Sequence, residues 1–202
     1  MGLRVTTAAA SLPVTLAELQ AEIIGYVAST AEDALLTDRL YQATEWVQNA
    51  TARQLISATL VQTFDSFPCG PIKLDLQPIV SVSSVKYYAA DTLTTLAATG
   101  YWTDIYSRPP RIVAKNGWPS TDAGRPAAVE VTFVAGYGTA ASDVPRNLKH
   151  AIKQLAAFWY WQRDAAATPN SVEPGDEAAP TYREIPFGVF SIVNHFNASG
   201  YT

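Results

Sequence analysis

The chain has 202 residues, which is enough for one domain with small appendages. Apolar residues make up 48% and charged residues 16%, and this composition excludes a largely disordered polymer. The formal net charge is −4, and the 14 basic residues form no run, so the sequence does not predict a surface that wraps nucleic acid. The single cysteine, Cys69, excludes an internal disulfide.

No stretch of the sequence predicts a targeting segment or a membrane anchor. Residues 1–14 lack the charged start and the continuous apolar run of a signal peptide. No window reaches the ~18 apolar residues that a membrane-spanning helix needs. We therefore expect the protein in reducing cytoplasm, or in an assembly built there, and we expect no membrane partner.

The first part of the chain predicts two helices. Residues 1–13 have little to bury and are expected to form a loose arm. Thr15 and Glu18 have the spacing of a capping box, which opens a short helix over residues 15–27. A longer amphipathic helix follows over residues 31–53. Two such helices in series indicate a helical hairpin.

From residue 58 onward the apolar residues recur at every second position, which indicates β-strands. Residues 58–134 contain about six such segments separated by turns, enough for a small antiparallel sandwich or barrel-like unit. The alternation changes parity at Ser83 and Ser84, which predicts a β-bulge. The clearest strand starts at Val129 and ends at a turn around Gly136.

A long helix is predicted over residues 144–163. Its apolar residues follow the i, i+3, i+4 spacing of one buried face, and Trp159 belongs to that face. Ser142 or Asp143 is expected to cap the helix, and Pro145 suits the first turn, where its missing N–H is harmless.

Four consecutive aromatic residues, 158–161, lie at the end of this helix and point to all of its sides. One interpretation is that the β-unit or the C-terminal tail covers the rings that point away from the core. The other is a subunit interface, where Tyr and Trp are enriched. The candidate interface residues are Trp46, Tyr160 and Trp161.

The C-terminal part combines a polar stretch with an apolar one. Residues 165–181 hold three prolines with Gly, Ser, Asp and Glu, so we expect a flexible linker. Residues 182–202 are apolar again and form a tail. This tail either folds back as an edge strand or docks on another protein. The candidate docking residues are Tyr182, Ile185, Phe187, Val189, Phe190, Ile192 and Phe196.

The sequence offers no convincing set of catalytic or metal-binding residues. The two histidines, His150 and His195, have no carboxylates at an ordered spacing. No serine lies in a G-x-S-x-G elbow. Gly136 and Gly138 lack the further glycine and the Lys-Ser/Thr pair of a phosphate loop. We therefore predict no catalytic residue, no cofactor site and no metal site, and thus no enzyme.

Several short motifs follow one another in a recognisable order. They are Glu32-Asp33, Phe67-Pro68, Pro78-Ile79-Val80-Ser81-Val82, Val85-Lys86-Tyr87-Tyr88, Trp118-Pro119, Ala135-Gly136-Tyr137-Gly138, Val144-Pro145, Trp159-Tyr160 and Ile185-Pro186-Phe187-Gly188-Val189. In this order and spacing the chain resembles the head–tail connector, or adaptor, family of tailed siphophages, prophages and gene transfer agents. The final segment departs from the family, because residues 190–196 replace a Leu-rich, Arg-containing segment.

The resemblance implies an α+β fold. A helical base of two N-terminal helices and a long C-terminal helix carries an inserted small antiparallel β-sandwich or barrel-like unit. Residues 1–164 are then a single connector domain, followed by the linker and an extended C-terminal tail.

The resemblance also implies a place and partners. Family members form a ring, typically a dodecamer, below the portal protein in the neck of the virion. The ring extends the DNA channel without sequence-specific DNA binding, and it offers a platform for a stopper or tail-terminator protein. The tail is implied to engage the portal, and assembly is implied in the cytoplasm of a bacterial host.

A second function class remains open. The chain could be a β-sandwich module of a phage or bacterial surface assembly that binds carbohydrate or protein. Carbohydrate would then be bound through exposed rings of Trp102 and Trp118. A small hydrolase is the least favoured alternative.

Overall fold

The computed structural model describes residues 2–23, 30–162 and 185–198. These residues contain four α-helices and eight β-strands, which confirms the predicted α+β class. The chain separates into two compact units. The strand unit comprises Met1–Ser11 and Ala52–Asp143, and the helical unit comprises Leu12–Thr51 and Val144–Thr202. The predicted linker, residues 165–181, lies outside the described residues.

The strand unit contains two antiparallel sheets. Its strands are β1 (Gly2–Thr7), β2 (Ala58–Phe64), β3 (Ile72–Lys73), β4 (Ile79–Ala89), β5 (Thr92–Thr95), β6 (Tyr101–Asp104), β7 (Arg111–Ala114) and β8 (Val129–Ala135). The larger sheet has the order β1-β2-β8-β4-β5, and the smaller sheet has the order β3-β7-β6.

The core of the strand unit lies on one face of the larger sheet. On β8, Val129, Val131 and Phe133 are fully buried, and the residues between them are half-buried, as the period of two predicts. Ile72 and Ile112 of the smaller sheet belong to the same hydrophobic cluster. The two sheets therefore share one core.

The predicted bulge in β4 is confirmed. Val82 lies opposite Phe133 of β8 and Ser84 lies opposite Thr132, so Ser83 is an extra residue in the ladder. The extra residue explains the change of parity in the sequence.

The N-terminal strand β1 corrects the prediction of a loose arm over residues 1–13. It pairs antiparallel with β2 from Gly2, opposite Thr63, to Thr7, opposite Thr59. All six residues of β1 are exposed, so the strand depends on backbone pairing with β2 and buries neither of its faces.

The helices of the helical unit are α1 (Leu16–Glu22), α2 (Asp33–Thr51), α3 (Arg146–Trp161) and α4 (Phe187–Ala198). The helices α1, α2 and α3 contact one another, and α4 packs on α2 and α3. Their buried apolar residues include Leu19, Leu36, Leu40, Val47, Leu148, Ile152 and Leu155. None of the described helices is long and apolar enough to cross a membrane.

The two helix starts predicted from the sequence differ in outcome. The capping box of α1 is present, since the N–H of Glu18 donates to Thr15 Oγ1 and the N–H of Thr15 donates to Glu18 Oε2. The predicted cap of α3 at Ser142 or Asp143 is wrong. Pro145 takes the N-cap position and no side chain caps the helix. The reason is that Asp143 lies in a separate 3-10 turn and accepts from the N–H of Ala140.

Candidate functional site

The part of the chain that the structure describes contains no group of three or more His, Cys, Asp or Glu residues that could hold a metal ion. His150 Nδ1 lies 3.9 Å from Glu22 Oε1, and the ring of His195 lies against Phe196. The glycine motif at the end of β8 makes hydrogen bonds to other backbone groups. The N–H of Gly136 donates to Pro78 O at 2.9 Å, so this amide is not directed at a phosphate.

The C-terminal tail is helical where the structure describes it, and this corrects the prediction of an extended tail. The helix α4 starts just after Pro186, whose carbonyl accepts from the N–H groups of Val189 and Phe190. Val189 is 0% exposed and Val193 is 3% exposed, and their i, i+4 spacing places them on one helix face. Packing of this face against the helical unit favours a helix over an extended strand.

The predicted docking residues therefore divide into two groups. Phe187 is 82% exposed and Phe190 is 52% exposed, so both rings face outward. Val189 faces the helical unit, and Tyr182 lies outside the described residues. The half-buried members of the set are Ile185, Ile192 and Phe196. Among the described side chains of α4, Phe187 and Phe190 are therefore the exposed large apolar ones.

The aromatic end of α3 is arranged differently from the prediction. Trp159 was expected in the core, but it is half-buried, and the buried aromatic residue is Tyr160, which is 4% exposed. The Tyr160 hydroxyl donates a short hydrogen bond to Glu32 Oε2 within the helical unit. The prediction is therefore wrong by one residue, or 100° around the helix. The reason is that Glu32 provides a hydrogen-bond acceptor for the hydroxyl of the buried Tyr160.

The other two candidate interface residues offer different amounts of surface. Trp161 is 56% exposed, and its ring meets Tyr160 edge to face at 5.4 Å. Trp46 is half-buried on α2. Their role at a subunit interface stays a prediction.

Two ion pairs fasten α1 to α3. Lys149 Nζ lies 3.0 Å from Glu18 Oε1, and Lys153 Nζ lies 2.8 Å from Glu22 Oε2. The backbone hydrogen bond from Thr15, followed by the bond from Lys149, lowers the pKa of Glu18 below its ordinary value of 4.5. The hydrogen bond from Lys153 lowers the pKa of Glu22 in the same direction. Both carboxylates are thereby held in the charged form.

The two tryptophans proposed for carbohydrate binding are not equivalent. Trp102 is 59% exposed, with the Lys115 ammonium 5.3 Å from its ring centroid. Trp118 packs against the core and stacks on Phe67 at 4.8 Å, and its Nε1 donates to a backbone carbonyl. Only one of the two rings is therefore exposed as a sugar platform would require.

Sequence reasoning missed two exposed features of the strand unit. Leu3 and Val5 on β1 are 42% and 56% exposed, and Tyr106 in the loop after β6 is 90% exposed. The alternation of Leu3 and Val5 was the available signal for β1. No signal distinguished Tyr106 from an ordinary loop residue.

No protein-family model and no curated protein sequence matches this chain. Solved structures do match it. A chain in the virion of a native gene transfer agent particle is 27% identical, with a TM-score of 0.77, and the match covers 97% of this chain and 95% of that chain.

Two further structures come from the necks of gene transfer agent particles. A chain in the neck of an empty particle, computed with C6 symmetry, is 28% identical with a TM-score of 0.72, covering 97% of this chain and 95% of that one. A chain in the neck of a native particle, computed with C12 symmetry, is 25% identical with a TM-score of 0.68, covering 97% and 94%. The similarity extends over nearly the whole chain, and it confirms the resemblance to the head–tail connector family that the order of the sequence motifs indicates.

Proposed function

We propose that the protein is a structural head–tail adaptor of a tailed phage or gene transfer agent. It forms a closed ring, a dodecamer, below the portal protein in the neck of the virion. The observation that carries the proposal is the match of 97% of this chain to chains of necks with C6 and C12 symmetry. The ring extends the DNA channel and offers a platform for a stopper or tail-terminator protein.

The exposed apolar residues support a ring of identical subunits. A head-to-tail ring uses a heterologous interface, so each subunit needs two different faces that complement one another. Trp161 and Tyr41 of the helical unit and Leu3 and Val5 of the strand unit are all exposed. Trp46 and Trp161 are the ring-contact candidates that we retain on the helices, whereas Tyr160 is engaged by Glu32 and has little free surface.

The exposed rings of α4 support docking on the portal. Val189 and Val193 hold α4 on the helical unit, and Phe187 and Phe190 remain available to a partner. One such contact is weak, but the copies around a ring act together and raise the overall affinity. We therefore propose that residues 1–164 form the connector domain and that residues 182–202 dock on the portal, chiefly through these two phenylalanines.

The net charge of −4 supports a passive conduit for DNA. A lumen that bound phosphates tightly would impede the passage of DNA. We propose no catalytic role, no cofactor and no sequence-specific DNA contact. The protein is then a component of the virion neck that is assembled in the cytoplasm of the bacterial host.

Binding to the portal protein tests this function. Phe187→Ala combined with Phe190→Ala removes the two exposed rings of α4, and Tyr106→Ala removes an exposed ring elsewhere as the matched control. We expect the double variant to keep the thermal stability of the wild type and to lose at least about tenfold in portal affinity, since aromatic anchors carry much of an interface's energy. The control should bind like the wild type.

Two results distinguish an error in the docking assignment from an error in the adaptor function. If the double variant binds the portal as tightly as the wild type, the docking assignment of α4 is wrong. If the wild-type protein neither binds the portal nor occurs in purified particles, the adaptor function itself is wrong.

A further inference from the structure

The larger sheet of the strand unit ends in two open edges. In the described residues, β1 pairs only with β2, and β5 pairs only with β4. All six residues of β1 are exposed, as are three of the four residues of β5. The outer N–H and C=O groups of both strands are therefore placed to pair with a strand of another molecule.

Neither edge carries much of the protection that is usual for exposed strands. Monomeric proteins place Lys, Pro, inward charges or bulges on such edges to prevent pairing. The strand β5 is protected only by its length of four residues, because its sequence Thr-Leu-Thr-Thr has no charge and no proline. The strand β1 has one charge, Arg4, and its bulge lies after Val5, so Gly2–Val5 remains regular. Both edges of the sheet are therefore open to pairing with a strand of another molecule.

The apolar face of the sheet continues onto β1 without cover. Val5 lies opposite Leu60 of β2, which lies opposite Phe133 of β8, and cross-strand partners share a face. Leu60 and Phe133 are buried, whereas Val5 is 56% exposed. Leu3 continues the next row in the same way, opposite the buried Gln62. A strand added beside β1 would cover the flanks of Leu3 and Val5.

The direction of the strands indicates which molecule pairs with the two open edges of the larger sheet. Each neighbouring pair in the order β1-β2-β8-β4-β5 is antiparallel, so β1 and β5 run in the same direction. A rotation about an axis that runs along the strands preserves this direction. It brings the β5 edge of one copy to the β1 edge of the next, so one chain carries both halves of a heterologous contact.

We propose that β1 of one copy pairs in parallel with β5 of the adjacent copy, so that the larger sheet continues from subunit to subunit around the ring. The inference rests on the ring of the proposed function and names its contact. Thr94 of β5 lies opposite Tyr87, which lies opposite the buried Val129, so Thr94 belongs to the core face. Leu3 and Val5 of the neighbouring copy would meet Thr94 on that face.

Engineered disulfides test the contact directly. The exposed Cys69 is first replaced by Ser in the full chain. Two variants then carry Thr94→Cys, one with Leu3→Cys and one with Val5→Cys, to sample both registers that place the two side chains on one face. Rings assembled on the portal are oxidised and separated on a non-reducing gel. We expect a ladder of covalent multimers from at least one pair, and none from Arg4→Cys with Thr94→Cys, because Arg4 lies on the opposite face.

A second measurement checks the edge without cysteines. Leu3→Lys combined with Val5→Lys places two charges on the β1 edge, and Val80→Lys, at another exposed aliphatic residue, is the matched control. We expect the double variant to fold with the thermal stability of the wild type and to assemble rings on the portal at least about tenfold less efficiently. The control should assemble normally.

The outcomes distinguish this contact from the ring itself. Normal rings that give no ladder with either pair, together with normal assembly of the double lysine variant, overturn the strand contact and leave the adaptor function standing. Dimers from Val5→Cys alone indicate a two-fold β1–β1 contact and also overturn the proposal. A wild-type chain that forms no ring on the portal overturns the contact and the function together.

Discussion

Two hydrogen bonds join Gln62 and Asp75 in the strand unit. Gln62 Nε2 donates to Asp75 Oδ2 at 2.9 Å, and the N–H of Asp75 donates to Gln62 Oε1 at 3.2 Å. Gln62 is 0% exposed on the core face of β2. Asp75 thus supplies both a donor and an acceptor to the buried amide, which otherwise lies among apolar side chains.

Removing the Asp75 carboxylate should therefore destabilise the strand unit. We expect Asp75→Ala to lower the free energy of unfolding by about 1–3 kcal/mol, because the buried Gln62 amide loses its acceptor. Asp75→Asn keeps an oxygen acceptor and should lose less. Urea unfolding measures both variants, and equal stability of Asp75→Ala and the wild type would contradict the role assigned to this pair.

Gly136 at the end of β8 should not tolerate a side chain. Its φ is +141°, and a Cβ at this position would lie 2.5 Å from the backbone N and Cα of Ser57. We expect Gly136→Ala to lower the free energy of unfolding by about 1–3 kcal/mol from backbone strain alone, with the overlap adding to it. Gly70→Ala is the matched control, because a Cβ there meets nothing within 4 Å. The prediction fails if the two variants melt at the same temperature.

The ion pairs between α1 and α3 should make the helical unit sensitive to acid. The pKa values of Glu18 and Glu22 are lowered in the folded state, so their contribution to stability is present above the ordinary value of 4.5. It is lost as the pH falls through the lowered pKa values. We expect the variant Glu18→Gln with Glu22→Gln to lose stability relative to the wild type at pH 7, and the difference to shrink below about pH 4.5.

Thermal unfolding followed by helical circular dichroism at several pH values measures this difference. Glu45→Gln, at an exposed residue of α2, controls for the loss of a carboxylate as such. A difference between variant and wild type that stays constant from pH 7 down to pH 3 would rule out the linkage.

Tyr160 and Trp161 are neighbours with opposite expected roles. Tyr160→Phe removes the hydroxyl that donates a hydrogen bond to Glu32. We therefore expect a loss of about 1–2 kcal/mol in the free energy of unfolding of the subunit. Trp161→Ala should leave that energy nearly unchanged because the ring is 56% exposed, and it should weaken ring assembly instead. Chemical unfolding and light scattering of the portal complex measure the two effects. The reverse pattern would assign the interface to Tyr160.

The regular parts of the fold could be predicted from the sequence because they bury one face. The alternation in β8 and the spacing of Leu148, Ile152 and Leu155 in α3 correspond directly to the buried residues of the structure. The capping box of Thr15 and Glu18 could be predicted for a similar reason, since its hydrogen bonds are local in sequence.

The errors occurred where distant contacts decide the structure. The strand β1 buries no residue and exists through pairing with β2, some 55 residues away, so the short alternation of Leu3 and Val5 was too weak a signal to predict it. The helix α4 contains Gly, Phe and β-branched residues of modest helix propensity, and packing of Val189 and Val193 on the helical unit outweighs that propensity. Tyr160 replaces Trp159 in the core because Glu32 accepts from its hydroxyl, a pairing across 128 residues.

The candidate docking and ring-contact surfaces could likewise be predicted only in part from the sequence. The apolar composition of residues 182–202 indicated a docking segment, but only the structure separates the outward Phe187 and Phe190 from the inward Val189. The order of the family motifs indicated a neck protein, and the match to neck chains agrees with it. The open edges of the larger sheet were invisible in the sequence, because an edge is defined by the order of the strands.

The most direct test of the adaptor ring is an electron cryo-microscopy reconstruction of the neck of particles that carry this chain, without imposed symmetry. The proposed function predicts a closed ring of this chain directly below the portal, with α4 on the portal side and an open central passage. A neck whose ring is built from another chain, with this chain absent or located elsewhere on the particle, would contradict it.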